Sequence, residues 1–157
     1  MSAISDIFDA LNTMAATALP THAQLLNPYF LESDSQISLS AAYGIKFGLG
    51  VNILGNENSG QEQRSRDLLI VLTRRKFATK GNITERKSVE KQLFEDLTAV
   101  LDAVAATPKL GVMAVQRTLY VSDTGVQFLP LGGDRVDIYY LEATLTVEYE
   151  NEVQLCT

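Results

Sequence analysis

From Ile37 to Ile53 every odd position is apolar: Ile37, Leu39, Ala41, Tyr43, Ile45, Phe47, Leu49, Val51 and Ile53. The positions between them, Ser38, Ser40, Ala42, Gly44, Lys46, Gly48, Gly50 and Asn52, are small or polar. A period of two places the first set on one face of a β-strand and the second on the other. The segment therefore calls for a sheet with one bulky, buried face and one small, wettable face. Drawn straight it would reach about 55 Å at ~3.3 Å per residue, too long for a single domain of 157 residues. It must bend at its glycines, break into a hairpin, or project from the body. Small side chains on one face would also let another subunit approach closely.

The rest of the chain supplies partners for that strand. Ile4, Ile7, Phe8, Leu11, Met14, Ala15 and Ala18 recur at helical spacing, so residues 3–18 read as an amphipathic helix capped by Ser2 and stopped by Pro20. Residues 20–35 carry turn chemistry around Leu25, Leu26, Tyr29 and Phe30. The polar stretch at about 55–66 reads as a flexible loop, mobile or ordered by a partner. Leu68 to Leu72 is a continuous apolar run, the mark of a strand covered on both faces, and it leaves the core through the basic Arg74, Arg75 and Lys76. A second helix begins at a Thr84 cap and ends before Pro108. Val89, Leu93, Phe94, Leu97, Val100, Leu101 and Val104 form its buried stripe. Two closing strands are expected, at 111–121 with Gly125 in the turn after it, and at 134–150. In the last, the apolar set moves from Val136, Ile138 and Tyr140 to Leu141, Ala143, Leu145, Val147 and Tyr149. That implies a bulge or a change of face near Tyr140. The expected fold is α+β: a mostly antiparallel sheet with two helices packed on one face, in a single domain spanning 1–157.

Scarcity limits the chemistry. With one cysteine, Cys156, and one histidine, His22, no intrachain disulfide and no four-ligand Cys/His zinc site can form from one chain. His22 lies beside Pro20 in a loop-like stretch without a nucleophile elbow and reads as a surface histidine. Gly44-Ile45-Lys46-Phe47-Gly48-Leu49-Gly50 has neither the Lys-Ser/Thr end nor the GxGxxG spacing of a phosphate cradle. Glu148, Glu150 and Glu152 fall on one strand face without accompanying histidines, which suits a solvated or interface face better than a metal site. No catalytic, metal-ligating or cofactor-binding set emerges, and the chain reads as non-enzymatic. No stretch approaches the roughly 18 apolar residues of a membrane span. Met1–Asp6 has neither the basic nor the apolar region of a secretory leader, so the expectation is a protein kept inside a cell or in a particle assembled there.

Charge is segregated along the chain. Residues 1–63 carry net −5, residues 64–91 net +6, and residues 92–157 net −7, giving −6 overall. The basic segment holds nine Lys and Arg but only Phe77 as an aromatic, unlike a stacking platform for nucleic acid. Folding could bring the two signs together within one monomer. Alternatively a basic flank meets the acidic flank of a neighbour, and such head-to-tail contacts close into rings where the rotation permits.

This arrangement resembles the tail terminator proteins of tailed bacteriophages, also called minor tail or tail-completion proteins. The resemblance lies in element order over nearly the whole chain: the helix at 3–18, a long strand pair at 36–77 joined by a flexible loop, the second helix at 84–106 and a closing hairpin. The alternating ending Tyr139-Tyr140-Leu141-Glu142-Ala143-Thr144-Leu145-Thr146-Val147-Glu148-Tyr149 is similar to that of such proteins. It implies a virion protein, assembled in the host cytoplasm, that forms a homo-oligomeric ring, a hexamer in the family. That ring sits on the head-proximal end of the tail tube, stops tube polymerisation and docks to the head–tail connector. Its partners would be further copies of itself, the tail tube protein and the connector, with DNA passing through the ring and no sequence-specific nucleic-acid contact. No cofactor is implied. The subunit-interface candidates are Arg74, Arg75 and Lys76 against Glu148, Glu150 and Glu152. The alternatives are a neck connector protein and a small-ligand-binding α+β domain with its pocket between helices and sheet.

Overall fold

From Ala41 onward the odd-numbered stripe lies in one long strand of a helix-backed sheet, while Leu39 precedes that strand and Ile37 lies outside the described residues. In the computed structural model, which describes residues 3–31, 39–56, 61–77, 83–130 and 136–152, the element order is α1 (Ala3–Ala18), β1 (Ala23–Gln24), β2 (Ala41–Asn56), β3 (Gln61–Phe77), α2 (Ile83–Ala106), β4 (Val115–Asp123), β5 (Gln127–Pro130) and β6 (Val136–Glu152). The sheet runs β1-β2-β3-β6-β4, with β5 also paired to β6. Only the two-residue β1 pairs parallel; every other pairing is antiparallel. The fold is α+β, with a six-stranded, mostly antiparallel sheet and two helices. Ser2, proposed as the α1 cap, lies outside the described residues. So do Gly81-Asn82 and Gly132-Gly133, whose residue types suit turns before α2 and before β6.

Both helices lie on one face and share one core. Ile7, Leu11 and Ala15 of α1 and Val89, Leu93, Val100 and Val104 of α2 pack on Tyr43, Ile45, Leu68, Ile70, Leu72, Tyr139, Leu141, Ala143, Leu145 and Val147. The amphipathic spacing of each helix supplies the apolar stripe, and alternation on three adjacent long strands supplies the facing layer. Phe94 departs from the expected stripe: it is substantially exposed, and Asp96 is buried in its place. The substitution of a carboxylate for a phenylalanine on the inward side has a specific cause, described below.

The opposite face carries a second, smaller core. Leu25 packs on Ala42 and Val71, with Leu31 and Leu39 beside it. This explains the continuous run Leu68–Leu72: Leu68, Ile70 and Leu72 face the helices, while Val71 faces the segment after α1. The small residues of β2 also find their reason within the subunit. A Cβ on Gly44 would stand 2.9 Å from Pro28 Cβ and 3.1 Å from Leu25 Cβ, and one on Gly48 would stand 2.8 Å from Leu69 Cδ1. The close approach is by the chain's own residues 25–28. Gly44→Ala is expected to cost about 1–3 kcal/mol, the range of overpacking, because the proline ring cannot swing aside. Equilibrium urea denaturation would measure it.

Three expectations are corrected by the strand pattern. The first is the loop at about 55–66. β2 continues to Asn56 and β3 begins at Gln61, paired from Asn56↔Gln61 back to Ala41↔Arg74. Backbone hydrogen bonding to two neighbours overrides the polar composition of 61–66, because β6 pairs the same residues from the other side. The long strand is accommodated by bulges between Phe47 and Gly50 and between Asn52 and Leu54. The second is the change of face near Tyr140. β3 and β6 keep one unbroken register from Gln61↔Glu152 to Phe77↔Val136. Tyr139, Leu141, Ala143, Leu145, Val147 and Tyr149 all belong to the core beneath the helices. Tyr139, not Tyr140, is the buried tyrosine, and Ile138 is buried on the opposite face beside Leu25 and Leu39. The apparent switch arises because β6 is covered on both sides at that end.

The third is the turn at Gly125. β4 pairs with β6 down to Asp123↔Ala143, Thr124 N–H donates to Glu142 O, and β5 resumes at Gln127↔Tyr140. The two are segments of one strand interrupted by a single extra residue. Gly125 has φ 67°, the left-handed conformation that glycine takes most readily in a bulge.

Candidate functional site

The six residues proposed from sequence as interface candidates occupy opposite ends of one strand pair. Arg74, Arg75 and Lys76 on β3 stand across from Tyr139, Ile138 and Asp137, while Glu148, Glu150 and Glu152 on β6 stand across from Ser65, Gln63 and Gln61. Eleven positions separate the rung of Arg74 from that of Glu150, roughly 36 Å at ~3.3 Å per residue. The two groups do not meet within a subunit.

Each of those with described side-chain partners is engaged locally. Arg74 makes a bidentate pair with Asp96 of α2, Nε to Oδ2 at 2.8 Å and Nη2 to Oδ1 at 2.9 Å. Glu148 is held by Arg117 of β4 through a two-pronged contact, Nε to Oε2 and Nη2 to Oε1, the latter at 2.9 Å. Glu150 accepts from Gln116 Nε2 at 2.9 Å. Arg75 N–H donates to Ser40 O at 2.9 Å, extending the ladder past the start of β2. Lys76 is partly buried, and the side chain of Glu152 lies outside the described residues. Arg74 thus reaches inward, so the exiting basic strand is less of an open cationic edge than its sequence suggests.

His22 is the main departure from the sequence reading. Its side chain is almost completely buried, and Nε2 lies 3.1 Å from Asp96 Oδ2. That approach falls short of hydrogen-bond geometry, and Nδ1 has no partner among the described residues. The turn after α1 carries His22 against α2, and β3 brings Arg74 to the same carboxylate. Burial pushes the Asp96 carboxyl up, but His22 and the Arg74 guanidinium outweigh it and hold the group below the ordinary carboxylate range. The same carboxylate raises Arg74 against the opposing effect of its own desolvation. This triad ties α1, α2 and the sheet together at one corner. The signal in the sequence was an aspartate on the apolar stripe of α2, with no indication of which cation would reach it.

The face away from the helices carries a band of paired polar groups. Lys46 Nζ lies 2.8 Å from Glu142 Oε1 and 5.6 Å from the centroid of the Tyr29 ring. Thr146 Oγ1 donates to Asp67 Oδ1 at 2.7 Å. Charges on this face thus bend back over their own sheet. On the side toward the helices, where Arg66 stands across from Val147, the Arg66 guanidinium lies over Gly50 and Nη1 donates to Gly48 O at 3.1 Å.

Apolar groups occupy the margins. At the β2 side, Leu26, Tyr29 and Phe30 are exposed on the segment after β1, Phe47 is about half exposed while stacked at 4.8 Å on Phe8, and Leu49 is 81% exposed. A cleft of about 270 Å³ opens there between α1, residues 24–29 and β2. At the β4 side, Leu119, Tyr120 and Val121 are exposed. The region between helices and sheet, where a ligand pocket would be sought, is filled by fully buried side chains among the described residues. Among those residues no three His, Cys, Asp or Glu side chains gather in a metal-binding cluster. No helix is long and apolar enough to cross a membrane. The chain matches no protein-family model and no curated protein.

Proposed function

We propose that this chain is a structural subunit of the tail-terminator kind: a non-enzymatic virion protein whose ring caps the head-proximal end of a phage tail tube and offers the surface on which the head connector docks. The observation that carries the reading is the division of labour on the surface. Arg74–Asp96 and Lys46–Glu142 are paired inside the subunit, and Arg117 on the edge strand is tied to Glu148. Large apolar side chains are exposed at both margins of the sheet, Leu26, Tyr29, Phe30 and Leu49 on the β2 side and Leu119, Tyr120 and Val121 on β4. Apolar patches rimmed by polar residues mark protein–protein contact. The element order, with two helices on one face of a sheet that contains the long antiparallel β2–β3 pair, supports the reading.

The test is electron microscopy of lysates from a phage bearing an early stop codon in this gene. Overlong or polydisperse tails beside tailless, DNA-filled heads are the expected result. Tails of normal length with leaking heads would move the protein to the neck connector, and normal infectious particles would overturn the reading.

A further inference from the structure

The two lateral edges of the sheet belong together. Among the described residues, β1 covers the outer edge of β2 only at Ala42 and Tyr43, and Leu25 N–H adds one bond to Tyr43 O. Among the described residues no strand lies beside that edge from Gly44 to Asn56. At the other margin, the interrupted strand β4–β5 pairs with β6 on one side and with nothing described on the other. Exposed edges of this length invite pairing, and proteins that remain monomeric guard them with outward charges or proline. Phe47–Leu49 and Leu119–Val121 carry neither charge nor proline, and Pro130 stands only at the far end of β5. Lys46, the charged residue near the middle of β2, turns back to Glu142. On β4, Arg117 turns back to Glu148 and Asp123 is engaged by Tyr120.

Resting on the ring reading above, we propose that subunits join edge to edge: β2 of one copy, over Gly44–Asn56, pairs with β4 of the next. Three observations select a second copy as the occupant. Successive antiparallel pairings β2–β3, β3–β6 and β6–β4 leave β4 running opposite to β2. A neighbour that continues the sheet therefore arrives antiparallel, as the other long pairings are. The nine-residue β4 fits within the thirteen positions of β2 that have no strand beside them among the described residues. Leu49, Phe47 and the cleft beside Tyr29 on one margin face the chemistry of Leu119, Tyr120 and Val121 on the other. The bulges in both strands add the local bend that a closing sheet needs. The contact is heterologous, one kind of edge against the other, which allows a ring. It depends on apolar burial and backbone pairing. The basic and acidic segments picked out from the sequence take no part in it.

Leu49→Lys and Val121→Lys test this, since both positions are exposed (81% and 58%) and neither belongs to the core. Each variant alone is expected to remain folded by circular dichroism and to weaken self-association at least about tenfold by sedimentation. Mixed, the intact β4 of the first meets the intact β2 of the second, so the mixture yields a one-to-one dimer that grows no further. A wild-type chain that stays monomeric at millimolar concentration would overturn the proposal. So would variants that assemble like wild type, Val121→Lys alone forming dimers, or a mixture that fails to pair. Wild-type rings that survive both substitutions would remove the edge pairing and leave the terminator reading standing. A capped dimer together with normal tails in the stop-codon phage would do the reverse.

Discussion

Tyr139→Ala is expected to destabilise the fold by about 4 kcal/mol, within the roughly 3–5 kcal/mol of large aromatic-to-alanine changes in a packed core. Tyr139 is fully buried in β6, between β3 and β5, with its ring 5.1 Å from that of Phe128. Removing it opens a cavity that two hydrogen-bonded neighbouring strands cannot collapse to fill. Tyr140→Ala is expected to cost less than about 1 kcal/mol, because Tyr140 is only partly buried. The pair discriminates between two assignments of face, since alternation counted from Val136 and Ile138 would reverse the order. Urea denaturation with an unchanged slope would measure both. A larger loss at Tyr140 would show that the β3–β6 register is wrong.

Asp96→Ala is expected to cost about 3 kcal/mol, at the lower end of what breaking a buried ion pair costs, because Arg74 keeps partial access to water. The loss comes less from the attraction removed than from what is stranded: a guanidinium fitted to a bidentate acceptor and a buried imidazole. Asp96→Asn keeps the volume and removes the charge, so a comparable loss would assign the effect to electrostatics. The pH dependence has a definite sign. The folded Asp96 carboxyl titrates below its ordinary value of 3.8, because His22 and Arg74 outweigh the burial that would raise it. The folded state then binds this proton less readily than the unfolded state. Its contribution is complete above that ordinary value and disappears as pH falls through the lower, folded one. Stability measured from about pH 6 to pH 2 should therefore fall less steeply in Asp96→Asn than in wild type at the acid end. Parallel curves would show that Asp96 is not held in its ionised form.

Both results bear on assembly. Asp96 uses up the arginine that the charge pattern offered to a neighbouring subunit, and Glu148 and Glu150 are likewise held by Arg117 and Gln116. Segregation of charge along the chain did not predict segregation on the surface, because the long strands and α2 bring distant segments side by side. Disrupting Arg74–Asp96 should therefore act on folding stability, while substitutions at Leu49 and Val121 should act on association.

Periodicity carried the elements that bury an apolar face. The spacing of Ile7, Leu11 and Ala15 and of Val89, Leu93, Leu97, Val100 and Val104 located both helices, and the odd stripe located β2, because burying such a stripe leaves the backbone few choices. Local pattern failed where a residue's neighbours come from elsewhere in the chain. Residues 61–66 are polar and aperiodic, yet they form strand because β2 and β6 flank them on both sides. Ile138 is buried beside Leu25 and Leu39 on the face away from the helices, and Gly125 continues a strand rather than ending it. His22 looked like a surface residue until α2 supplied its carboxylate. By itself the sequence determined the α+β class, the two amphipathic helices and their packing on one face of the sheet, because those follow from short-range repetition of apolar side chains. Only the tertiary structure decided strand order, the partner of each charge and which edges remain bare, because these depend on pairings between residues far apart in the chain that no local spacing encodes.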